Sequence, residues 1–295
     1  MLSILIPTYN YDTVALVKTL QQQTIESTII FEIIVLDDAS TDQDSITENK
    51  KINTLEHCQF IENKENLGRT ATRNKLALKA KFKWLLYLDA DVIPLAMDFI
   101  KQYSEQLNKK YTVISGGIVY HKEKPKKEQL LRWVYGNKRE SKSIAVRNKN
   151  PHNLISANLL IDKELFLKAN NFETNKYGLD IYFSYKIRML KPEILHIDNP
   201  TIHLGLESSS TFIKKSLGAI ETTFNLENEQ KIDATSRPLQ KKYNQLNNTG
   251  VTKMFIFICG FLDKNILHNL NSKNPSIFLF DVYKLFYYCK LKKNA

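Results

Sequence analysis

Asp89 and Asp91 are separated by one residue and follow an unbroken apolar run, Leu85-Leu86-Tyr87-Leu88. In an extended backbone side chains alternate faces, so both carboxylates project to the same side, roughly 6.5–7 Å apart along the strand. Two ionised acids at the end of a buried run need compensation, because an isolated charge is expensive to take out of water. A divalent cation that also carries phosphate oxygens would supply it. Two solvated acids in a strand-end turn are the plainer alternative.

Such a pair needs a scaffold. Residues 2–7, 31–36, 58–61 and 83–88 read as short buried strands, and helical patterns lie between them, including the Val14, Leu16, Val17, Leu20 stripe and residues 69–81. That alternation predicts a mostly parallel sheet built from strand-helix-strand units. In open α/β sheets ligands bind beyond the carboxyl ends of the strands. Here those ends carry Pro7-Thr8-Tyr9-Asn10, Asp37-Asp38 and Asp89-Ala90-Asp91, so polar groups converge on one rim. Beyond it, Leu95, Phe99, Tyr103 and Leu107 recur every fourth residue and predict a helix. Residues 111–119 and 153–161 read as strands, with a short helix opening at Asp162. From Ser208 onward the pattern is helical, over 212–228, 254–270 and 276–291, with a polar connection through Pro238.

Four segments in one order resemble the family-2 glycosyltransferases with the GT-A fold: Ile6-Pro7-Thr8-Tyr9-Asn10, Val35-Leu36-Asp37-Asp38-Ala39-Ser40-Thr41-Asp42, Asn66-Leu67-Gly68-Arg69-Thr70-Ala71-Thr72-Arg73-Asn74 and Leu88-Asp89-Ala90-Asp91. The resemblance reaches to about Gly205. It implies a Rossmann-like, mostly parallel sheet flanked by helices in a catalytic domain over 1–207, with a helical C-terminal extension over 208–295. It also implies a nucleoside-diphosphate sugar donor, usually uridine-linked, inversion at the anomeric carbon, and Mn2+ or Mg2+ as cofactor. Position by position it puts Pro7 and Tyr9 beside the base, Asp38 at the base edge, Arg73 near the nucleotide, Asp89 on the ribose, Asp91 on the metal, and His203 on the metal or diphosphate. The chemistry suits those residue types: an aromatic face stacks on a base, and a carboxylate accepts an imide N–H. Asp180, in Tyr177-Gly178-Leu179-Asp180, fills the position of the family's general base; an ordinary aspartate is ionised at neutral pH and can take a hydroxyl proton. Glu173 is the second candidate for that role. Leu179 stands where many relatives carry glutamate, which implies a different acceptor or reduced activity. Gly116-Gly117 is either a close backbone approach to the sugar or a bulge in an ordinary strand.

The 42 lysines and arginines outnumber the 31 acids, for a net charge of +11. This favours an anionic partner such as nucleotide phosphate, nucleic acid or anionic lipid. No nucleic-acid recognition module is visible, so nucleic acid is not expected. Residues 121–149 are strongly basic and contain Leu131-Arg132-Trp133-Val134-Tyr135-Gly136, to be read as a solvated loop or as an aromatic lid over an acceptor. Cys58, Cys259 and Cys289 lack disulfide or zinc spacing, which fits a reducing cytoplasm. The N-terminus has no signal-peptide pattern. The apolar stretch 254–262 is about half the ~20 residues of a membrane-spanning helix. The last helix either lies in a membrane interface, drawn to anionic lipid, or packs on the catalytic domain. The expected location is therefore the cytoplasm, including the inner face of the membrane, and the expected acceptor a hydroxyl on a glycan or lipid-linked sugar. Two alternatives stand. One is a nucleotide-sugar-binding or scaffold protein that has lost turnover, hinted at by Leu179. The other is a sugar-nucleotidylyltransferase, which expects a glycine-rich loop where this chain has Pro7-Thr8-Tyr9-Asn10.

Overall fold

The computed structural model describes residues 1–107, 109–171 and 177–294. Strands β1 (Leu2–Thr8), β2 (Phe31–Asp37), β3 (Cys58–Glu62) and β4 (Trp84–Leu88) lie parallel. Nearly every residue of β1, β2 and β4 is buried, which is why their apolar runs are continuous rather than alternating. Helices α1 (Val14–Glu26), α2 (Gln43–Lys50) and α3 (Arg69–Lys79) make the crossovers. The chain continues through β5 (Val92–Pro94), α4 (Phe99–Ser104), β6 (Val113–Ser115), β7 (Ile118–Tyr120), α5 (Leu130–Tyr135), α6 (Ile144–Asn148), β8 (Asn158–Asp162), α7 (Lys163–Ala169), α8 (Asp180–Leu190), β9 (Ile194–His196) and β10 (Thr201–His203). The main sheet has seven strands in the order β3-β2-β1-β4-β8-β6-β9, with β8 antiparallel to both neighbours. A second sheet has three, β5-β10-β7.

The small sheet departs from the sequence reading in two places. The expected strand over 111–119 is two strands in two sheets, β6 and β7, parted at Gly116-Gly117. Gly117 has φ +87°, and a side chain on Gly116 would overlap the Asn199 carbonyl and crowd Asn158 and Tyr103. The glycine pair therefore lets the chain change sheets against its own backbone. The expected helix from Leu95 is shortened to α4, because Val92-Ile93-Pro94 pairs with β10 first and Leu95 is exposed. Phe99 and Tyr103 are buried as expected.

Arg147, from the basic segment, braces this region. Its guanidinium donates to the carbonyls of Ser115 at 2.8 Å and Ile197 at 2.7 Å, and it lies 3.3 Å from His196 Nδ1. His196 Nε2 lies 3.1 Å from the Pro151 carbonyl. These contacts fit a neutral ring that donates from Nε2. Burial and the Arg147 charge hold the His196 pKa below its usual value, with the Pro151 hydrogen bond opposing them. The unfolded chain then binds this proton first as pH falls, so the contribution of His196 to stability is complete above about pH 6.5 and is lost in more acid solution. Urea melts at pH 7.5 and 5.5 should show the acid loss in the wild type and a smaller loss in His196→Asn.

The described structure divides into two compact units. One comprises Met1–His121, Glu140–Asn175 and Lys186–Gly205; the other comprises Lys122–Arg139, Lys176–Tyr185 and Leu206–Ala295. The second is helical, with α5, α9 (Ser209–Asn228), α10 (Pro238–Asn248), α11 (Thr252–Phe261), α12 (Asp263–Leu270) and α13 (Ile277–Lys293). Leu131, Phe212, Ile213, Ile266, Leu270, Ile277 and Phe280 form one apolar cluster there. Tyr135 packs edge-on against Phe212 and Phe280. Leu131 and Tyr135 thus belong to the core of this unit rather than to an open aromatic lid. Much of α13 also turns inward, with Ile277, Phe280, Leu285, Phe286, Tyr288 and Cys289 buried, whereas Phe278 is exposed. Of the two readings of the last helix, an interfacial helix and a packed one, these residues take the packed one, within the helical unit. Pro238 starts α10 at its first turn, where a missing N–H costs nothing.

Candidate active site

The rim beyond β1, β2 and β4 is cross-linked by its own polar side chains. Asn10, at φ 50°, accepts at Oδ1 from the backbone N–H groups of Thr41 and Asp42, at 2.8 and 3.0 Å, and its own N–H donates to Ser40 Oγ at 2.7 Å. The loop after β1 is thereby fixed to the loop after β2. Asp37 is buried and accepts from the Ser40 N–H at 2.8 Å, closing that turn. Asp38 Oδ1 accepts from Asn63 Nδ2 at 3.0 Å and from the Leu67 N–H at 2.9 Å, and Oδ2 accepts from the Gly68 N–H at 2.8 Å. Three of the roughly four acceptor positions of a carboxylate are thus taken within the protein. Asp38 holds the Asn66-Leu67-Gly68 loop and sets the start of α3. Pro7 is half-buried, whereas Tyr9 is 49% exposed at the end of β1.

Along α3, Arg69 and Arg73 both reach Asp89. Arg69 Nη2 donates to Oδ2 at 2.5 Å, and Arg73 Nη2 donates to Oδ1. Arg73 is buried, and the Tyr87 hydroxyl donates to its carbonyl at 2.8 Å, tying α3 to β4. Burial pushes the Asp89 carboxyl up, but the two guanidiniums outweigh it and hold the group below the usual carboxylate range. Asp89 is therefore an oriented anion. The side chain of Arg73 engages Asp89 itself.

Asp91 is placed differently. Its Oδ2 lies 3.5 Å from His203 Nε2, and its carbonyl accepts from the Leu204 N–H at 2.8 Å. Burial raises the Asp91 carboxyl above its ordinary value and Asp89 adds to the shift, against the opposing pull of His203 and Arg69. The small sheet explains the meeting: antiparallel pairing sets His203 opposite Val92, one residue beyond Asp91. The His203 ring also stacks on Tyr120 at 5.3 Å.

Asp91 and His203 together offer an oxygen and a nitrogen donor from a single strand pair. Among the described residues no three His, Cys, Asp or Glu side chains are grouped to hold a metal ion. Two protein ligands suit Mg2+ or Mn2+, which leave the remaining positions to phosphate oxygens and water. The residues present fit that cofactor.

Several contributors had no assigned role in the sequence. Gly205 packs on the Asp91 carboxylate so closely that a β-carbon there would overlap Oδ2. The Tyr11 phenol, in the loop after β1, is shifted up by burial and by the charges of Asp91 and Asp12. Beneath β10, the Tyr103 hydroxyl donates to Asn158 Oδ1 at 2.6 Å, and Asn158 Nδ2 donates to the Asn199 carbonyl at 2.8 Å. Asn199 Nδ2 donates to the Phe99 carbonyl at 2.9 Å, fixing the turn that leads into β10. Gly205→Ala should turn the Asp91 carboxylate aside. A displacement of that kind costs turnover about 100-fold, and the overpacking about 1–3 kcal/mol of stability. Initial rates and a thermal melt on the same preparation separate the two effects.

Asp180 belongs to the second unit, at the start of α8. Its charge acts on Arg237, whose guanidinium burial draws down and whose Nη1 donates to Thr223 Oγ1 at 2.6 Å. Gly178 before it has φ +93°, and a β-carbon there would come within 2.8 Å of Ala219. Leu179 is 3% exposed. A glutamate at 179 would be buried, so the departure from the resembling pattern is matched by packing. Glu173 lies outside the described residues.

Residues 3–168, more than half of the chain, match the family described as Glycosyl transferase family 2. The chain is a family-2 glycosyltransferase. Over 300 residues the transferase is 26% identical to an uncharacterized glycosyltransferase of Haemophilus influenzae strain Rd, covering 96% of this chain and 90% of that one. Its fold is similar to that of a mannosyltransferase from Pyrobaculum calidifontis in complex with GDP-Man and Mn2+, with a TM-score of 0.52 and 16% identity. That match covers 76% of this glycosyltransferase and 64% of the mannosyltransferase chain, under two thirds of its length. The likeness is one of fold: a GT-A sheet, mostly parallel and flanked by helices. A further solved structure, S. aureus TarS 1-349 in complex with UDP-GlcNAc, is 15% identical with a TM-score of 0.48.

Proposed function

We propose that this glycosyltransferase is metal-dependent and inverting, and that it moves a sugar from a nucleoside diphosphate, uridine-linked in the first instance, to a hydroxyl of a glycan or glycolipid. The observation that carries the reading is the division of labour at the D-x-D, where Asp89 is clamped by two arginines while Asp91 faces His203. In this reading residues 1–207 are the catalytic domain and 208–295 a helical extension. Pro7 and Tyr9 flank the base, Asp38 meets its edge with the one acceptor position it has left, and Asp89 receives the ribose hydroxyls. Arg73 acts on the nucleotide by orienting Asp89.

Asp91 and His203 would hold Mn2+ or Mg2+. When bound, the ion neutralises the charge that grows on the leaving diphosphate. Asp180 accepts the proton of the acceptor hydroxyl as its oxygen bonds to the anomeric carbon and the bond to the diphosphate oxygen breaks. Holding both substrates in line supplies the rest of the acceleration. The binding-only alternative rests on Leu179, whose side chain is buried in packing; it predicts donor binding with no turnover. The enzyme works in the cytoplasm, at the inner face of the membrane where the acceptor is lipid-linked. Release of nucleoside diphosphate from a panel of nucleotide sugars, with Mn2+ and with a chelator, tests the reading. Metal-dependent release from one donor supports it, and release that ignores the chelator contradicts it.

A further inference from the structure

In α11, Met254, Phe257, Ile258 and Phe261 recur at i, i+3, i+4 and i+7 and so share one face. A stripe of this spacing normally packs into a core. Here it points to solvent: Phe257 is 77% exposed and Phe261 84%, with Met254 and Ile258 also open. The opposite side of α11 makes the packing contact. Cys259 is buried there, and Gly260 lacks the side chain that would touch the Phe286 ring of α13. Single exposed apolar residues are ordinary, but a contiguous aromatic stripe marks an interaction surface.

The charges around it identify the occupant. Lys253 and Lys264 flank the stripe in sequence and are exposed. The acids between residues 250 and 294 are Asp263 and Asp281 alone, and Asp281 is paired with Arg139 and Lys284. A second copy of the chain seated on this face would bring Lys253 and Lys264 toward the same lysines of the other copy, which is unfavourable. A bilayer with anionic headgroups complements both features, with phosphates for the lysines and acyl chains for the phenylalanines. The helix has ten residues, and among the described residues no helix is long and apolar enough to cross a membrane. We propose that the outward face of α11 lies in the interface of an anionic phospholipid bilayer and docks the enzyme there. The inference goes beyond the transfer reaction and holds whichever acceptor is used.

Sedimentation of the full-length protein with vesicles tests it. The wild type should pellet with mixed phosphatidylcholine–phosphatidylglycerol vesicles, less so in high salt, and stay in solution with phosphatidylcholine alone. Phe257→Ser with Phe261→Ser should lower partitioning at least about tenfold by removing the buried apolar area. Lys253→Glu with Lys264→Glu should lower it about tenfold or more by reversing the attraction. Melting temperature and nucleotide release from donor should be unchanged in both double variants, which separates failure of docking from failure of the transferase reading. A wild type that ignores the mixed vesicles, a Phe variant that pellets like wild type, or a wild-type dimer that the Phe variant splits would each overturn the proposal.

Discussion

Asp91→Asn is expected to cut transfer by about 10³-fold or more, because it removes the charged oxygen donor set against His203 and with it the stabilisation of the leaving diphosphate. The effect should fall on chemistry rather than on folding. Asp91 sits at the rim, beyond the buried run of β4, and its neighbour Asp89 carries the ion pairs that tie α3 to the strand end. A melting temperature near that of the wild type, beside transfer reduced to background, is the result to look for. Asp89→Asn should behave differently in the melt, since two guanidiniums would lose their shared partner in a partly buried setting.

Asp180→Asn carries the second large effect. Asparagine keeps the shape of the side chain but cannot accept the hydroxyl proton, and loss of a general base costs about 10²–10⁴-fold. Donor binding should stay near normal, because the role proposed for Asp180 is toward the acceptor hydroxyl and not toward the donor. Transfer assays paired with donor titrations check the contrast: kcat falls while donor affinity holds. Full transfer by Asp180→Asn would remove it from the base role and turn attention to Glu173.

The large elements were legible because their signals are local. Largely apolar runs over 2–7, 31–36 and 83–88 predict buried strands, and the polar residues that follow mark the rim. The small sheet was not legible. Its strands β5, β7 and β10 have three residues each, too few to show a period, and they pair across long stretches of sequence. Yet this sheet is what brings His203 to Asp91. Gly205 was hidden for a related reason: its requirement arises from a carboxylate more than a hundred residues away and leaves no local trace. Asp38 and Arg73 show another limit. The resemblance implies a nucleotide role for both, but no local signal says that much of their bonding capacity is directed to the Asn66-Leu67-Gly68 loop and to Asp89. The stretch 254–270 looked like one helix because its apolar spacing runs through Leu262, where the backbone leaves helical geometry and divides α11 from α12.

In the proposed reaction Asp91 and His203 would hold one divalent cation, which would neutralise charge on the donor diphosphate. Titration of Mn2+ followed by electron paramagnetic resonance reads this directly, with and without uridine diphosphate. The nucleotide should tighten Mn2+ binding in the wild type and in Asp180→Asn, and Asp91→Asn should lose both the binding and the tightening. Mn2+ binding that is unchanged in Asp91→Asn, or indifferent to the nucleotide in the wild type, would contradict it.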